Sequence, residues 1–101
     1  MDEFQVTNAL VGVLKKIQAI AGQPCPPLDG GSVPPDLLPK FDSTVWPAAA
    51  TMVARVLKVT IPNDVHIFGG EKGRPLLTIN QTVALIIKKA TPKKTEEKVA
   101  A

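Results

Sequence analysis

Apolar residues recur at every third or fourth position in several stretches of the chain, which is the spacing of an amphipathic helix. One such stretch covers residues 4–21 and another covers residues 78–90. In the second, Thr78 and Gln81 fit a capping box, in which each side chain bonds the other's free backbone N–H. Polar side chains, including Gln18, populate the remaining surface of the first. The pattern predicts one helix near each end of the chain.

The stretch between them, residues 44–58, is apolar over most of its surface and predicts another helix. The stripe expected to face inward consists of Val45, Ala49, Met52, Val53 and Val56. A helix that is apolar over most of its surface must be buried or must meet a partner. We therefore predict that Trp46, Ala50 and Leu57 form a partly accessible face for a partner or a second copy of the chain.

The connections complete the predicted architecture. Residues 22–41 form a long loop rich in proline and glycine, with one helical turn expected within residues 32–38, and loops of this length are often functional. Residues 59–62 should be extended. We predict an all-α fold, a small bundle of three to four helices with this long loop between helices 1 and 2. The expected core is Leu10, Leu14, Ile17, Val53, Val56, Leu57, Ile61, Ile67, Phe68, Ile79, Val83 and Ile86.

The net charge of +3 comes entirely from the C-terminal end, because residues 1–87 carry no net charge. We predict a helical domain over residues 1–91 and a flexible, lysine-rich tail over residues 92–101. A basic patch on a folded face would indicate a nucleic-acid binder, whereas a lysine-rich terminus is usually solvated. We therefore expect no nucleic-acid partner.

Several functional classes find no support in the sequence. No apolar run approaches the roughly 20 residues that span a bilayer, and the acidic start Asp2-Glu3 is unlike a signal peptide. The expectation is a cytoplasmic protein without a membrane partner. Cys25 and His66 are single residues of their type, and no metal-ligand or Ser-His-Asp spacing exists. We expect no metal site, no catalytic residues and no enzymatic activity.

One motif gives a more specific expectation. Asp42-Ser43-Thr44 precedes the apolar helix, and Ile61-Pro62 follows 18 and 19 residues after Ser43. The last helix starts at Thr78-Ile79. With the order helix, long loop, helix, Ile-Pro turn, anchor and helix, the chain resembles a divergent member of the acyl carrier protein family, the phosphopantetheine-binding carriers. The resemblance covers roughly residues 4–90.

The resemblance implies a function. Ser43 would carry 4'-phosphopantetheine, attached covalently by a phosphopantetheinyl transferase, and the counterpart of Asp42 is associated with binding that transferase and its magnesium. The thiol of the arm would hold acyl or aminoacyl thioesters for acyl-handling enzymes, as in fatty acid or polyketide biosynthesis. The positive end of a helix dipole, where Ser43 is expected, favours such a phosphodiester.

The chain also differs from the family pattern. Thr44 stands where leucine is usual, Pro47 lies early in the helix, and the helix has no acidic residue, so the usual partners are expected to dock poorly. Two alternatives stay open. The hydroxyl of Ser43, or Asp42, could serve only as a helix N-cap. The chain could also be an unmodified carrier-like interaction module that self-associates through its second helix.

Overall fold

Four helices and two very short strands make up the computed structural model, which describes residues 2–62, 65–70 and 73–92. The helices are α1 Glu3–Ile20, α2 Pro34–Leu37, α3 Trp46–Leu57 and α4 Ile79–Lys89. The strands β1 Val59–Thr60 and β2 Thr91–Pro92 pair antiparallel. The predicted helical fold is confirmed, and the three long helices lie within two residues of their predicted bounds. The flexible tail was predicted over residues 92–101; Pro92 pairs with Val59 in the short sheet, and residues 93–101 lie outside the described residues.

Helices α1 and α4, the first and last of the fold, each begin with a side-chain cap. The Asp2 carboxylate accepts a hydrogen bond from the Gln5 backbone N–H at 2.7 Å and caps α1. At α4, the Gln81 N–H donates to the Thr78 hydroxyl at 3.2 Å, and the Thr78 N–H donates to the Gln81 side chain at 2.9 Å. The predicted capping box is therefore present, and it explains why α4 begins where it does.

The long loop satisfies the remaining free N–H groups at the start of α4. The Ile79 N–H donates to the Ser32 carbonyl at 2.8 Å, and the Asn80 N–H donates to the Gly30 carbonyl at 3.0 Å. These carbonyls and the Thr78 hydroxyl accept hydrogen bonds from N–H groups that have no partner within the helix. Residues 22–41 thus act as a cap on a distant helix, which ties the loop to the bundle.

Gln18 holds the same loop from the other side. Sequence periodicity placed this residue on the polar surface of α1, but its side chain is only 1% exposed. Its amide nitrogen donates to the Pro24 carbonyl at 3.3 Å and to the Pro39 carbonyl at 3.0 Å. The prediction was wrong because a buried amide is tolerated where its hydrogen bonds are made, and the loop supplies both acceptors.

The core lies where α1 packs against α3 and α4. Most predicted core residues are buried, while Ile17, Leu57 and Ile61 are half-buried. Val56 contradicts the prediction, since 59% of its surface is exposed. The loop supplies Leu38 and Phe41, which the sequence pattern did not identify as core. The buried set is Val6, Ala9, Leu10, Val13, Leu14, Leu38, Phe41, Ala49, Val53, Ile67, Phe68, Ile79, Val83 and Ile86.

Among the residues that the structure describes, no helix is both long enough and apolar enough to cross a membrane.

Candidate functional site

Ser43 lies in a tight turn that precedes α3. The Val45 N–H donates to the Asp42 carbonyl at 2.9 Å and closes the turn, with Ser43 and Thr44 at its centre. The Asp42 carboxylate accepts from the Thr44 N–H at 3.0 Å and from the Thr44 hydroxyl. This pattern is an Asx turn, in which an aspartate side chain bonds the backbone two residues onward. The side chain of Ser43 is exposed.

The hydrogen bonds of the turn also set the charge beside Ser43. The Thr44 hydroxyl, followed by the Thr44 backbone N–H, lowers the pKa of Asp42 below its usual value. Asp42 is therefore ionised at neutral pH. The pKa of Asp42 is lower in the folded chain than in the unfolded chain, so its ionised carboxylate stabilises the turn fully at pH values above the unfolded-state pKa. This stabilisation is lost as the pH falls through the lowered folded-state pKa.

The start of α3 corrects the expected role of Ser43. The helix begins at Trp46, its N-cap residue is Val45, and no side chain among the described residues caps it. Ser43 is therefore not the N-cap, and it lies in the turn before the helix rather than at its first residue. Pro47 explains this placement. It occupies the first turn of α3, where a missing N–H costs nothing, whereas a helix starting at Ser43 would need that N–H.

The Ser43 groove is a cavity of about 650 Å³ between one face of α3 and the segment that follows it. Ser43, Trp46 and Ala50 line one side, and the Ile61-Pro62 turn lines the other. The motif residues that were separated by 18 and 19 positions in the chain are thus brought to one cavity. The remaining lining residues are Pro47, Thr51, Ala54, Arg55, Val59, Thr60, Val65, His66, Ile67, Phe68, Gly69 and Gly70.

Trp46 forms part of the apolar floor of the groove. Its ring lies 6.1 Å from the ring of Phe68, and Phe68 in turn meets Phe41 edge-to-face at 5.1 Å. The indole N–H donates to the Phe41 carbonyl at 3.2 Å. Trp46 is half-buried, so it joins the core on one side and the groove on the other.

The predicted partner residues do not all share this surface. Trp46 and Ala50 line the groove together, as the helical spacing indicated. Leu57 does not line it and packs instead at the edge of the core. Asp42 also lies outside the groove lining. The far wall, residues 65–70, was not identified from the sequence as part of a site, because only the tertiary packing brings it opposite α3.

Hydrogen bonds hold the far wall of the groove in place. The Leu77 N–H donates to the Phe68 carbonyl at 2.9 Å, and the Gly70 N–H donates to the Pro75 carbonyl at 3.2 Å. The buried Thr82 hydroxyl donates to the Ile67 carbonyl at 2.6 Å. This last bond fixes the wall to α4, so the shape of the groove depends on the position of that helix.

Thr82→Val is expected to lower the free energy of unfolding by about 1–3 kcal/mol, because it leaves the Ile67 carbonyl without its partner at constant side-chain shape. Urea denaturation measures the change. Thr51→Val is the matched control: the Thr51 hydroxyl bonds the Pro47 carbonyl on the exposed side of α3, and its loss should change stability by no more than about 0.5 kcal/mol. Equal effects from both variants would contradict the prediction.

The charges at the groove are few. Arg55 and His66 are its ionisable lining residues, and no carboxylate lines it in the part of the chain that the structure describes. No three His, Cys, Asp or Glu side chains come together as a candidate metal site within residues 2–62, 65–70 and 73–92. The groove is therefore a mainly apolar recess whose lining includes the hydroxyl-bearing residues Ser43, Thr51 and Thr60.

Comparisons of the chain with protein-family models, curated proteins and solved structures each gave no match. The assignment of a function therefore depends on the residues and geometry of the groove.

Proposed function

We propose that the protein is a divergent acyl carrier that holds acyl or aminoacyl thioesters through 4'-phosphopantetheine on Ser43. The observation that carries the proposal is the position of an exposed serine hydroxyl on the lining of a large apolar groove. A phosphopantetheinyl transferase and acyl-handling enzymes are the partners that follow from it. Fatty acid or polyketide biosynthesis is the corresponding pathway class.

The hydroxyl of Ser43 is available for modification. It makes no hydrogen bond to any residue that the structure describes, whereas the neighbouring Thr44 hydroxyl is engaged with Asp42. The turn exposes Ser43 without unfolding any helix. A transferase could therefore reach this side chain while the bundle stays intact, which a reaction on a folded carrier requires.

The groove suits the chemistry of the cargo. Its volume of about 650 Å³ lies within the range of about 300–1,000 Å³ that is typical of small-molecule sites. Trp46, Ile61, Val65 and Phe68 give it apolar walls. An acyl chain attached through Ser43 would gain about 0.8 kcal/mol for each methylene that enters such a site, and its thioester would be shielded from water.

An unmodified carrier-like interaction module is the second candidate. The accessible parts of Trp46 and Ala50 on the groove favour it, because tryptophan is enriched at the centres of protein interfaces. In this case a partner helix or a second copy would occupy the groove in place of an acyl chain. Both candidates therefore use the same surface and differ in whether Ser43 is modified.

The test is intact-mass spectrometry of the full chain after incubation with coenzyme A and a broad-specificity phosphopantetheinyl transferase. The wild type is expected to gain the mass of one phosphopantetheine group. Ser43→Ala should show no gain while keeping its helical circular dichroism, because Ser43 caps no helix.

Thr44→Ala is the matched control for this experiment. It removes the adjacent hydroxyl, and the chain should still be modified, since the attachment site remains. A wild type that stays unmodified under several transferases would contradict the carrier proposal, and sedimentation analysis of the same sample would then test the interaction module.

A further inference from the structure

A second groove lies on the side of the bundle where α1 and α3 meet. Its volume is about 380 Å³, and it does not include Ser43. We call it the α1–α3 groove. Helix α1 contributes Asn8, Ala9, Gly12, Val13 and Lys16, and helix α3 contributes Met52, Arg55 and Val56.

The floor of the α1–α3 groove is apolar and partly open to solvent. Val56 is 59% exposed here, although the helical pattern of α3 placed it in the core. Val13 is buried at the base, and Met52 is half-buried. Val56 thus lies exposed beside a recess with further accessible apolar surface. Such an arrangement is expected where another protein binds and covers these apolar side chains.

Gly12 supports the same conclusion. It lies in the middle of α1, where glycine destabilises a helix relative to alanine. Beyond the neighbouring backbone of α1, a Cβ at this position would meet no atom of the described residues within 4 Å, so packing within the bundle does not require glycine. Because glycine has no side chain, the groove is open at this position, and the backbone of another helix could approach the backbone of α1 closely.

The charges at the α1–α3 groove have one sign. Lys16 and Arg55 line it with exposed side chains, and neither has an ion-pair partner among the described residues. The chain has no Asp or Glu from Phe4 to Leu28 or from Ser43 to Asn63. Helix α1 beyond its first residue and the whole of α3 are therefore free of acids. A ligand that carries carboxylates beside an apolar ridge would complement this surface in charge and in polarity.

We propose that the α1–α3 groove docks an acidic amphipathic helix of a partner protein. The apolar face of that helix would cover Val56 and Met52 and approach Gly12 closely. Its carboxylates would pair with Lys16 and Arg55. This is the helix-in-groove mode of recognition, in which an amphipathic helix lays its apolar face into a hydrophobic groove, and it does not depend on modification of Ser43.

Two other occupants fit the surface less well. A second copy of the chain, packed through the same face around a two-fold axis, would bring its own Lys16 and Arg55 to a surface of the same sign, and such repulsion disfavours association. An anionic membrane would satisfy the charges, but a flat surface cannot reach Val13 at the base of the groove. A helix satisfies both the charges and the recess.

The test uses the full chain labelled with ¹⁵N and a synthetic amphipathic peptide of about four helical turns. The peptide has leucine at every third or fourth position, glutamate elsewhere and blocked ends. Its matched control has lysine in place of every glutamate. The acidic peptide is expected to shift the amide signals of Ala9, Gly12, Val13, Met52 and Val56 in a saturable manner, and the basic peptide is expected to leave them unchanged.

Variants of the protein locate the interaction. Lys16→Glu should weaken binding of the acidic peptide about tenfold, because it places like charges opposite each other. Lys15→Glu is the matched control, since Lys15 is the neighbouring exposed lysine and does not line the groove; its effect should stay below about twofold. Gly12→Leu should fill the groove and abolish the shifts without lowering the melting temperature.

Several outcomes would overturn the proposal. The groove signals could remain unchanged at millimolar acidic peptide, or the basic peptide could shift them equally. Equal losses in Lys16→Glu and Lys15→Glu would indicate general charge attraction instead of docking. Binding to vesicles of phosphatidylcholine and phosphatidylserine that is lost in Lys16→Glu would identify a membrane surface as the occupant. A wild-type dimer that Gly12→Leu converts to a monomer would identify a second copy.

Discussion

Phe68→Ala is expected to lower the free energy of unfolding by about 3–5 kcal/mol, the range measured for truncation of buried aromatic side chains. Phe68 is only 1% exposed and is the largest fully buried side chain in the described part of the chain. It lies between Phe41 from the long loop and Trp46 from α3, with ring distances of 5.1 and 6.1 Å. Its removal would leave a cavity at the point where the long loop, α3 and residues 65–70 pack together.

This loss is a large fraction of the total free energy of unfolding. A domain of this size is stable by about 5–15 kcal/mol, so the variant should unfold well below the temperature at which the wild type does. Thermal and urea denaturation measure the change. Phe4→Ala is the matched control, because Phe4 is 76% exposed and its truncation should cost no more than about 0.5 kcal/mol. A Phe68→Ala variant as stable as the control would contradict the packing of Phe68 between Phe41 and Trp46.

Gly69→Ala is the second substitution for which we expect a large effect. Gly69 has a φ of +80°, in the region that favours glycine, and a Cβ there would lie 2.6 Å from the Pro75 backbone carbonyl oxygen. The backbone conformation alone costs a non-glycine residue about 1–3 kcal/mol. The contact adds to this cost, because a backbone carbonyl cannot move aside as the end of a flexible side chain can.

Gly73→Ala separates the two contributions. Gly73 has nearly the same φ, +79°, but a Cβ there would meet nothing within 4 Å among the described residues other than its chain neighbours. Its substitution should show the conformational cost only, so the difference between the two variants in urea denaturation measures the cost of the contact. Because Gly69 lines the Ser43 groove, Gly69→Ala should also deform the groove wall. Equal stability of the two variants would show that the wall moves freely.

Much of the helical structure was predictable from short stretches of sequence. The bounds of α1 follow from apolar periodicity, and those of α4 follow from apolar periodicity and from the capping box of Thr78 and Gln81. These signals are local, because the hydrogen bonds of a cap join residues that are three positions apart. The same holds for the start of α3 once Pro47 is placed in its first turn, where the chain needs no N–H donor.

The candidate site was predictable only in part. The spacing of Ser43 to Ile61-Pro62 identified residues that the fold brings to one groove. The sequence did not show that Ser43 lies in a turn ahead of the helix, with a hydroxyl that bonds none of the residues that the structure describes. It also did not show the wall over residues 65–70, because that wall is held by Thr82, which is 15 residues from its partner Ile67 in the chain.

The sequence by itself determined which segments are helical, that α4 begins with a capping box, and that α3 has an apolar surface with no acidic residue. The tertiary structure decided which of those surfaces are covered. Gln18 is buried because the loop brings two carbonyls to it, and Val56 is exposed because no element that the structure describes covers that side of α3. Periodicity places a residue on a face of its helix, but burial depends on the neighbours that arrive from distant parts of the chain. The two grooves on either side of α3 are the result of that packing.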